Sequence, residues 1–187
     1  MNRLHQWLCR SDYWRATLRR RMPWAIGETN LGANVLELGP GPGLTTELLR
    51  NSLQQLTTLE VDLKSAHMLR SRLALSNVRV VEGDALHMPF GDREFSAVVS
   101  FTMLHHVPSP ELQDQVLREV FRVLEPGGFF VGFDSLLNWL MKLIHIGDTL
   151  VPVKPETFAA RLQSAGFEVL DVQTNSRAFR FRARRPS

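Results

Sequence analysis

Apolar residues along this chain fall into two alternating rhythms, short concentrated runs and longer stretches spaced three and four apart. The short runs lie at 33–38, 56–61, 78–81, Phe95–Phe101, 129–133, 167–172 and 178–181. Residues 44–53, 64–75, 110–124, 138–146 and 155–165 have helical spacing, with Val116, Leu117, Val120 and Leu124 on one side of the third. The start, 3–21, also reads as a helix. Leu4, Trp7 and Leu8 share a face, Trp14 and Leu18 follow a turn apart, and Pro23 and Gly27 end it. Thr45 and Thr46 are expected to cap the 44–53 helix, Pro110 to open the next, and Glu125-Pro126-Gly127-Gly128 to break it. A turn is expected around Asn175. Strands that are apolar throughout, alternating with helices, predict an α/β architecture with a mostly parallel sheet covered on both faces.

Composition narrows this picture without changing it. Apolar residues make up 44% and charged residues 22%, a globular balance that excludes a disordered or fibrous chain. At 187 residues, with no repeat and no linker, one domain is expected. No apolar run reaches the roughly 18 residues of a membrane span, and the arginine-rich start lacks the apolar core of a secretory signal. The single cysteine, Cys9, has no internal disulfide partner, in keeping with a reducing, cytoplasmic setting. Charge is segregated. Residues 1–21 carry six arginines and one acid, residues 177–187 carry five arginines and none, and the span between holds 11 basic and 18 acidic side chains. The basic ends are either solvated termini or a surface for an anionic substrate, a lipid surface or nucleic acid.

The chemistry is expected beyond the carboxyl ends of the strands, where ligands sit in open α/β sheets. The first strand runs into Glu37-Leu38-Gly39-Pro40-Gly41-Pro42-Gly43. Glycines at 39, 41 and 43 let backbone approach a ligand and adopt angles barred to other residues. A dinucleotide fingerprint would need glycine at 44, which is leucine, and no G-K-[ST] follows, so neither a dinucleotide loop nor a P-loop is present. An acid about twenty residues on should accept from a ribose diol. Glu60 and Asp62 both qualify by distance. Glu60 is favoured, because Asp62 stands where the next helix needs its N-cap. Asp84, in Val81-Glu82-Gly83-Asp84-Ala85, ends the third strand and is placed to accept from an adenine amino group.

These ordered motifs resemble those of the class I S-adenosylmethionine-dependent methyltransferases. Val35 through Gly43 is similar to their first motif, Leu59-Glu60-Val61-Asp62 to their acidic second-strand motif, and Glu82-Gly83-Asp84-Ala85 to their adenine-contacting one. Phe95 to His106, followed by Arg122-Val123-Leu124-Glu125-Pro126-Gly127-Gly128, resembles the ubiquinone/menaquinone-biosynthesis branch. The resemblance implies a Rossmann-like, seven-stranded sheet whose last strand is antiparallel, and S-adenosylmethionine as cofactor. It implies that Gly39, Gly41 and Gly43 cradle the methionine end with help from Glu37, that Glu60 holds the ribose, and that Asp84 holds the adenine. Ala85 and Ser100 complete the expected cofactor contacts. Residues 33–187 would then be the core and 1–28 a helical cover.

The cofactor would bring the reactive methyl group, leaving the protein to position a nucleophile. A general base is needed only where the acceptor holds its proton until attack. His105 and His106, just past the fourth strand, are the candidates for it, or else a pair that orders their loop. Neither has Cys or Asp/Glu at metal-ligand spacing, so no metal is expected. The acceptor is read as a small molecule, apolar or lipid-like, with 138–146 as either a lid over it or a packing helix, and with peripheral lipid contact in keeping. The alternatives are an RNA or protein acceptor drawn by the arginine-rich ends, or a cofactor-binding regulator without turnover. Leu59 through Arg70 also resembles the ribosomal RNA adenine dimethyltransferases. Ser100-Phe101-Thr102-Met103 stands where those enzymes carry an Asn-hydrophobic-Pro-aromatic motif, which speaks against amino methylation of a base.

Overall fold

A computed structural model describes Leu8 and residues 11–187. The predicted face of Leu4 and Trp7, and Cys9, lie outside the described residues. The described elements run α1 (Asp12–Ile26), β1 (Asn34–Leu38), α2 (Leu44–Leu49), β2 (Gln55–Glu60), α3 (Leu63–Arg72), β3 (Val78–Glu82), β4 (Phe95–Phe101), a 3₁₀ turn (Leu104–His106), α4 (Pro110–Val123), β5 (Leu124–Ser135), α5 (Trp139–Ile144), α6 (Pro155–Ser164), β6 (Glu168–Thr174) and β7 (Ala178–Arg184). The seven strands form one sheet in the order β3-β2-β1-β4-β5-β7-β6. β1 to β5 pair in parallel, while β7 runs antiparallel to β5 and β6. This is the Rossmann-like class I methyltransferase fold.

Alternation along each strand divides the core into two layers. Val35, Ala97, Val99, Val131 and Phe133 face one side, where Leu18, Met22 and Ala25 of α1 and Leu44 and Leu49 of α2 cover them. Leu36, Val98, Phe130, Phe179 and Phe181 face the other, under Val116, Leu117 and Val120 of α4 and Phe158 and Leu162 of α6. Because both faces are covered, the central strands β1, β2 and β4 are buried at nearly every position, with Glu37, Thr57, Thr58, Glu60 and Ser100 as the buried polar exceptions among apolar residues.

Four local expectations need correction. Pro23 lies inside α1 rather than ending it, and Gly27, at φ 58°, closes the helix by donating to Pro23 O at 2.8 Å. Proline removes one helical hydrogen bond; burial of Met22 and Ala25 on either side of it offsets that loss. Thr45 and Thr46 do not cap α2, whose N-cap is Gly43; their hydroxyls are engaged by Glu37. The helix expected over 44–53 stops at Leu49, with the Ser52 amide turning back to the Leu49 carbonyl. The strand expected at 129–133 begins at Leu124: α4 does end before Glu125-Pro126-Gly127-Gly128, and those residues join β5 as an irregular stretch between the Phe95–Leu124 and Ala97–Phe129 pairs.

Arg180, Arg182 and Arg185, three of the five arginines after residue 176, are used internally. Arg180 and Arg182 meet Asp171 at 3.2 and 2.5 Å, and Arg185 donates to the carbonyls of Phe121, Arg122 and Leu124. Among the described N-terminal arginines, Arg15 pairs with Glu47 at 3.0 Å. The C-terminal charge therefore fastens β7 to its neighbours. No described helix is long and apolar enough to cross a membrane.

Leu18 is 1% exposed against this sheet. Leu18→Ala should cost about 2–5 kcal/mol in urea unfolding, the range for a buried leucine. A loss below about 1 kcal/mol would mean that α1 is not part of the core.

Candidate active site

The strand order reverses between β1 and β4, which are direct neighbours, so their carboxyl ends flank the one crevice where two loops diverge in opposite directions. The glycine loop leaves β1 there, and the chain carrying His105 and His106 leaves β4. Gly39, Gly41 and Gly43 take φ of 59°, 52° and 82°, the left-handed region that favours glycine. A side chain on Gly39 would stand 2.4 Å from Met103 Cγ, so the first glycine is what lets the two loops meet. Gly43 also has a packing role. Its missing side chain makes room for Leu69 and Arg72 of α3.

Three backbone contacts hold the loop. The Gly39 amide donates to Leu59 O at 2.9 Å, the Gly43 amide to Pro40 O at 2.9 Å, and the Gly41 amide to Glu60 Oε2 at 2.9 Å. Glu60 is buried at the tip of β2, and its other oxygen accepts from the Asp62 amide at 2.9 Å. Asp62 points away and caps α3, accepting from Ser65 N at 2.8 Å; the Ser65 hydroxyl first and then its amide hold the Asp62 carboxyl below the usual range. The two acids thus divide as their positions suggested, one at the loop and one at the helix.

Glu37 is buried at 1% exposure in β1, with one oxygen accepting from the Thr45 hydroxyl and the other from Thr46 Oγ1 at 2.6 Å. Burial pushes its carboxyl up to about 7, against the opposing pull of the two hydroxyls, and Glu60 nearby adds to the rise. Ser100 is buried in β4 beside Leu38, next to the start of the loop. Asp84 and Ala85 follow β3, the strand next to Glu60's, and the Gly83 amide just before them donates to Glu60 O at 3.1 Å. Asp84 is exposed and accepts from Leu86 N at 2.9 Å, shaping its own turn.

Across the crevice, Thr102 carries β4 into the 3₁₀ turn at φ 55°, a rare angle for a residue with a branched side chain. Gln113 of α4 donates to the carbonyls of Leu104 and Val151, and the Val151 amide donates to His105 O at 2.8 Å, so the turn is tied down from two sides. His105 is buried, with Nδ1 2.5 Å from Asp134 Oδ1 and its amide donating to Oδ2 of the same carboxylate at 3.2 Å. An ionised Asp134 accepts, so His105 donates to it from Nδ1 and turns Nε2 the other way. His145, after α5, stacks beside both histidines, and burial lowers its pKa.

Asp134 and His145 are the residues that sequence reasoning missed. Asp134 was detectable as an acid closing the apolar run 129–133. His145 carries no such mark, since only the packing of α5 brings it to His105.

A profile of the family described as "Methyltransferase domain" matches residues 36–132. The stretch 56–61 to Phe95–Phe101 and the loop just described lie inside that span. This chain belongs to that family. It is 36% identical over 106 residues to a fatty-acid O-methyltransferase of Mycolicibacterium smegmatis, covering 56% of this chain and 38% of the relative. It is 29% identical over 147 residues to the chloroplastic 2-methyl-6-phytyl-1,4-hydroquinone methyltransferase 1 of Oryza sativa, covering 76% and 43%. The chain thus spans about two fifths of the length of these curated relatives. Among solved structures, N-methyltransferase NodS from Bradyrhizobium japonicum, in complex with S-adenosyl-L-homocysteine, superposes with a TM-score of 0.72 at 18% identity, covering 96% of this chain and 91% of that one.

Glu37 gives the site a pH signature. A carboxyl raised to about 7 in the folded chain contributes fully below the unfolded value near 4.5, and that stability is lost as pH rises towards 7. Glu37→Gln, which keeps the shape without the ionisation, should remove a decline of about 1–3 kcal/mol between pH 5 and 8. Urea midpoints of both proteins across that range measure it. A difference between them that does not vary with pH would refute the buried, proton-holding carboxyl.

Proposed function

We propose that the protein is an S-adenosylmethionine-dependent methyltransferase acting on a small apolar or lipid-like acceptor. The observation that carries the first half is the glycine loop, held by Glu60 and Glu37 at the point of strand reversal. The residues fit the cofactor chemically. Gly39 and Gly41 bring bare backbone to the crevice, and Glu60 is a buried acceptor at the ribose position. The Glu37 carboxyl is close enough to the loop to answer a cationic methionine end by ionising. Asp84 and Ala85 are the proposed adenine contacts, and Ser100, buried in β4 beside Leu38, is a further proposed cofactor contact. When bound, the cofactor supplies a methyl group already activated on a sulfonium.

The chain's own part is then to bind, orient and exclude water. Met103 and the 3₁₀ turn form the wall opposite the glycine loop, where an acceptor would lie. His105, oriented by Asp134, is the better placed of the two general-base candidates, with Nε2 ready for a proton. His106 is the second. Residues 1–28 are proposed as a cover over the core 33–187; their described part, α1, lies along the sheet face beside α2.

The acceptor class rests on two supports. The relatives named above act on a fatty acid and on a phytyl hydroquinone, by their names. Beyond β5, Leu137, Trp139, Leu140 and Leu143 are exposed, Trp139 by 75%, which makes an apolar surface on the acceptor side. The engagement of the C-terminal arginines within the fold weakens the reading of RNA as acceptor.

S-adenosylhomocysteine at saturation should raise the melting temperature, and NAD should not, because a ligand that binds the native state alone stabilises it. The opposite pattern would sink the cofactor assignment. In calorimetric titration Glu60→Ala should weaken S-adenosylhomocysteine binding about 5- to 150-fold, as expected for about 1–3 kcal/mol of lost pairing. Asp62→Ala should leave affinity near wild type while losing about 1 kcal/mol of stability with its cap. The reverse order would move the ribose role to Asp62.

For the acceptor, fatty acids and prenylated hydroquinones should be methylated in the presence of S-adenosylmethionine. A Trp139→Ser, Leu143→Ser double variant should raise KM for them without changing S-adenosylhomocysteine affinity. Turnover of short polar acids alone would overturn the lipid-like class.

A further inference from the structure

The three histidines His105, His106 and His145 each offer a ring nitrogen, and these nitrogens all lie within 4.8 Å of one another. They come from two separate places in the chain, the turn after β4 and the end of α5. Their rings face each other, with centroids 4.2 Å apart for His105 and His106, 5.1 Å for His105 and His145, and 5.2 Å for His106 and His145. We propose that this cluster is a binding site for a divalent transition metal of the Zn²⁺ class, with three imidazole ligands and one open position.

The surroundings of the rings argue for ligands rather than for stacked packing. A metal-bound histidine characteristically donates its second ring N–H to a carboxylate or a backbone carbonyl, which fixes the tautomer and aims the ring. His105 does the first, with Nδ1 against Asp134 Oδ1 at 2.5 Å, and His145 the second, with Nδ1 2.7 Å from Met141 O. In both rings Nδ1 is thereby engaged, which makes Nε2 the ligating nitrogen of the proposed site. Nε2 of His105 is buried and has no hydrogen-bond partner among the described residues, a costly state for a neutral ring acceptor unless something is there to take the lone pair. Asp134 is itself held, accepting from the His105 and Ser135 amides, so the orienting carboxylate does not move.

Donor chemistry selects the ion. Three imidazoles without a carboxylate suit Zn²⁺, Co²⁺, Ni²⁺ or Cu²⁺ and disfavour Mg²⁺ and Ca²⁺, which prefer oxygen. Bonds of about 2.0–2.1 Å in a tetrahedron put nitrogens about 3.3 Å apart, so small ring tilts close the cluster from its present spacing. No fourth His, Cys, Asp or Glu joins the group among the described residues. Among the described residues the fourth position is left for water or an oxygen of a bound molecule, at the same end of the sheet as the glycine loop. The absence of acids at ligand spacing in the sequence had suggested no metal; the third ligand arrives from just beyond α5, and Asp134 stands behind the ligands.

The proposal competes with the general-base role of His105, since an Nε2 bound to metal cannot take a proton, and one experiment separates them. Tag-free full-length protein, stripped with a chelator, is titrated with Co²⁺ and then Zn²⁺. One equivalent of Co²⁺ should give the strong visible bands of a tetrahedral nitrogen site, which Zn²⁺ should displace. His106→Ala and His145→Ala should each weaken Zn²⁺ binding at least about 100-fold, and Asp134→Asn about 10- to 100-fold. His67→Ala and His87→Ala, away from the cluster, should bind like wild type. Wild-type protein with no tetrahedral Co²⁺ spectrum overturns the site, whatever the variants do. So does a spectrum and affinity that folded His106→Ala or His145→Ala leaves unchanged. S-adenosylhomocysteine binding measured on the same stripped protein reports on the methyltransferase reading independently, so the failure of one does not count against the other.

Discussion

The carboxyl of Glu37 is buried in the sheet, where desolvation makes ionisation costly, and the hydroxyls of Thr45 and Thr46 close over it. That contact ties the last turn of β1 to the first turn of α2 across the five residues between them. With both ends held, the loop has little freedom left, and Glu60 takes up what remains by accepting from the Gly41 amide. The sheet, the loop and the helix that follows are thus referred to one buried group. The position of α2 in turn decides what covers Val35 and Val99, and so half of the core.

The acids at the strand tips look alike in sequence and are used differently. Glu60 turns inward to the loop, Asp62 caps a helix, Asp84 shapes its own turn, and Asp134 is buried behind a histidine. The difference follows from which backbone amides stand within reach, because a carboxylate out of water takes whatever donors the local fold provides. The arginines obey the same rule. Arg182 and Arg180 find Asp171 on the neighbouring strand, and Arg185 finds three carbonyls where α4 gives way to β5.

On the β4 side the crevice is built by close approach rather than by charge. Gly39 admits Met103, Thr102 accepts an unusual backbone angle, and the 3₁₀ turn is fastened by Gln113 and Val151. Strain and tethering at one turn are the expected company of a functional loop. They fix the direction in which His105 and His106 leave the strand, and α5 adds His145 from a segment with an exposed apolar face.

By itself the sequence determined the alternation of elements, because fully apolar strands and helices of three-to-four spacing can bury both faces of a sheet in only a few ways. It also determined the glycine loop and Asp62 as a helix cap, since left-handed backbone and helix capping are local demands that a few adjacent residues answer. It misjudged Pro23 and the pair Thr45 and Thr46, whose local propensities to end or cap a helix yielded to burial of Met22 and Ala25 and to Glu37. The basic tail, the partner of His105 and the third histidine were decided by the tertiary structure alone. Asp171, Asp134 and His145 are joined to their partners by strand pairing and helix packing, contacts over long sequence separations that leave no periodic trace in the chain.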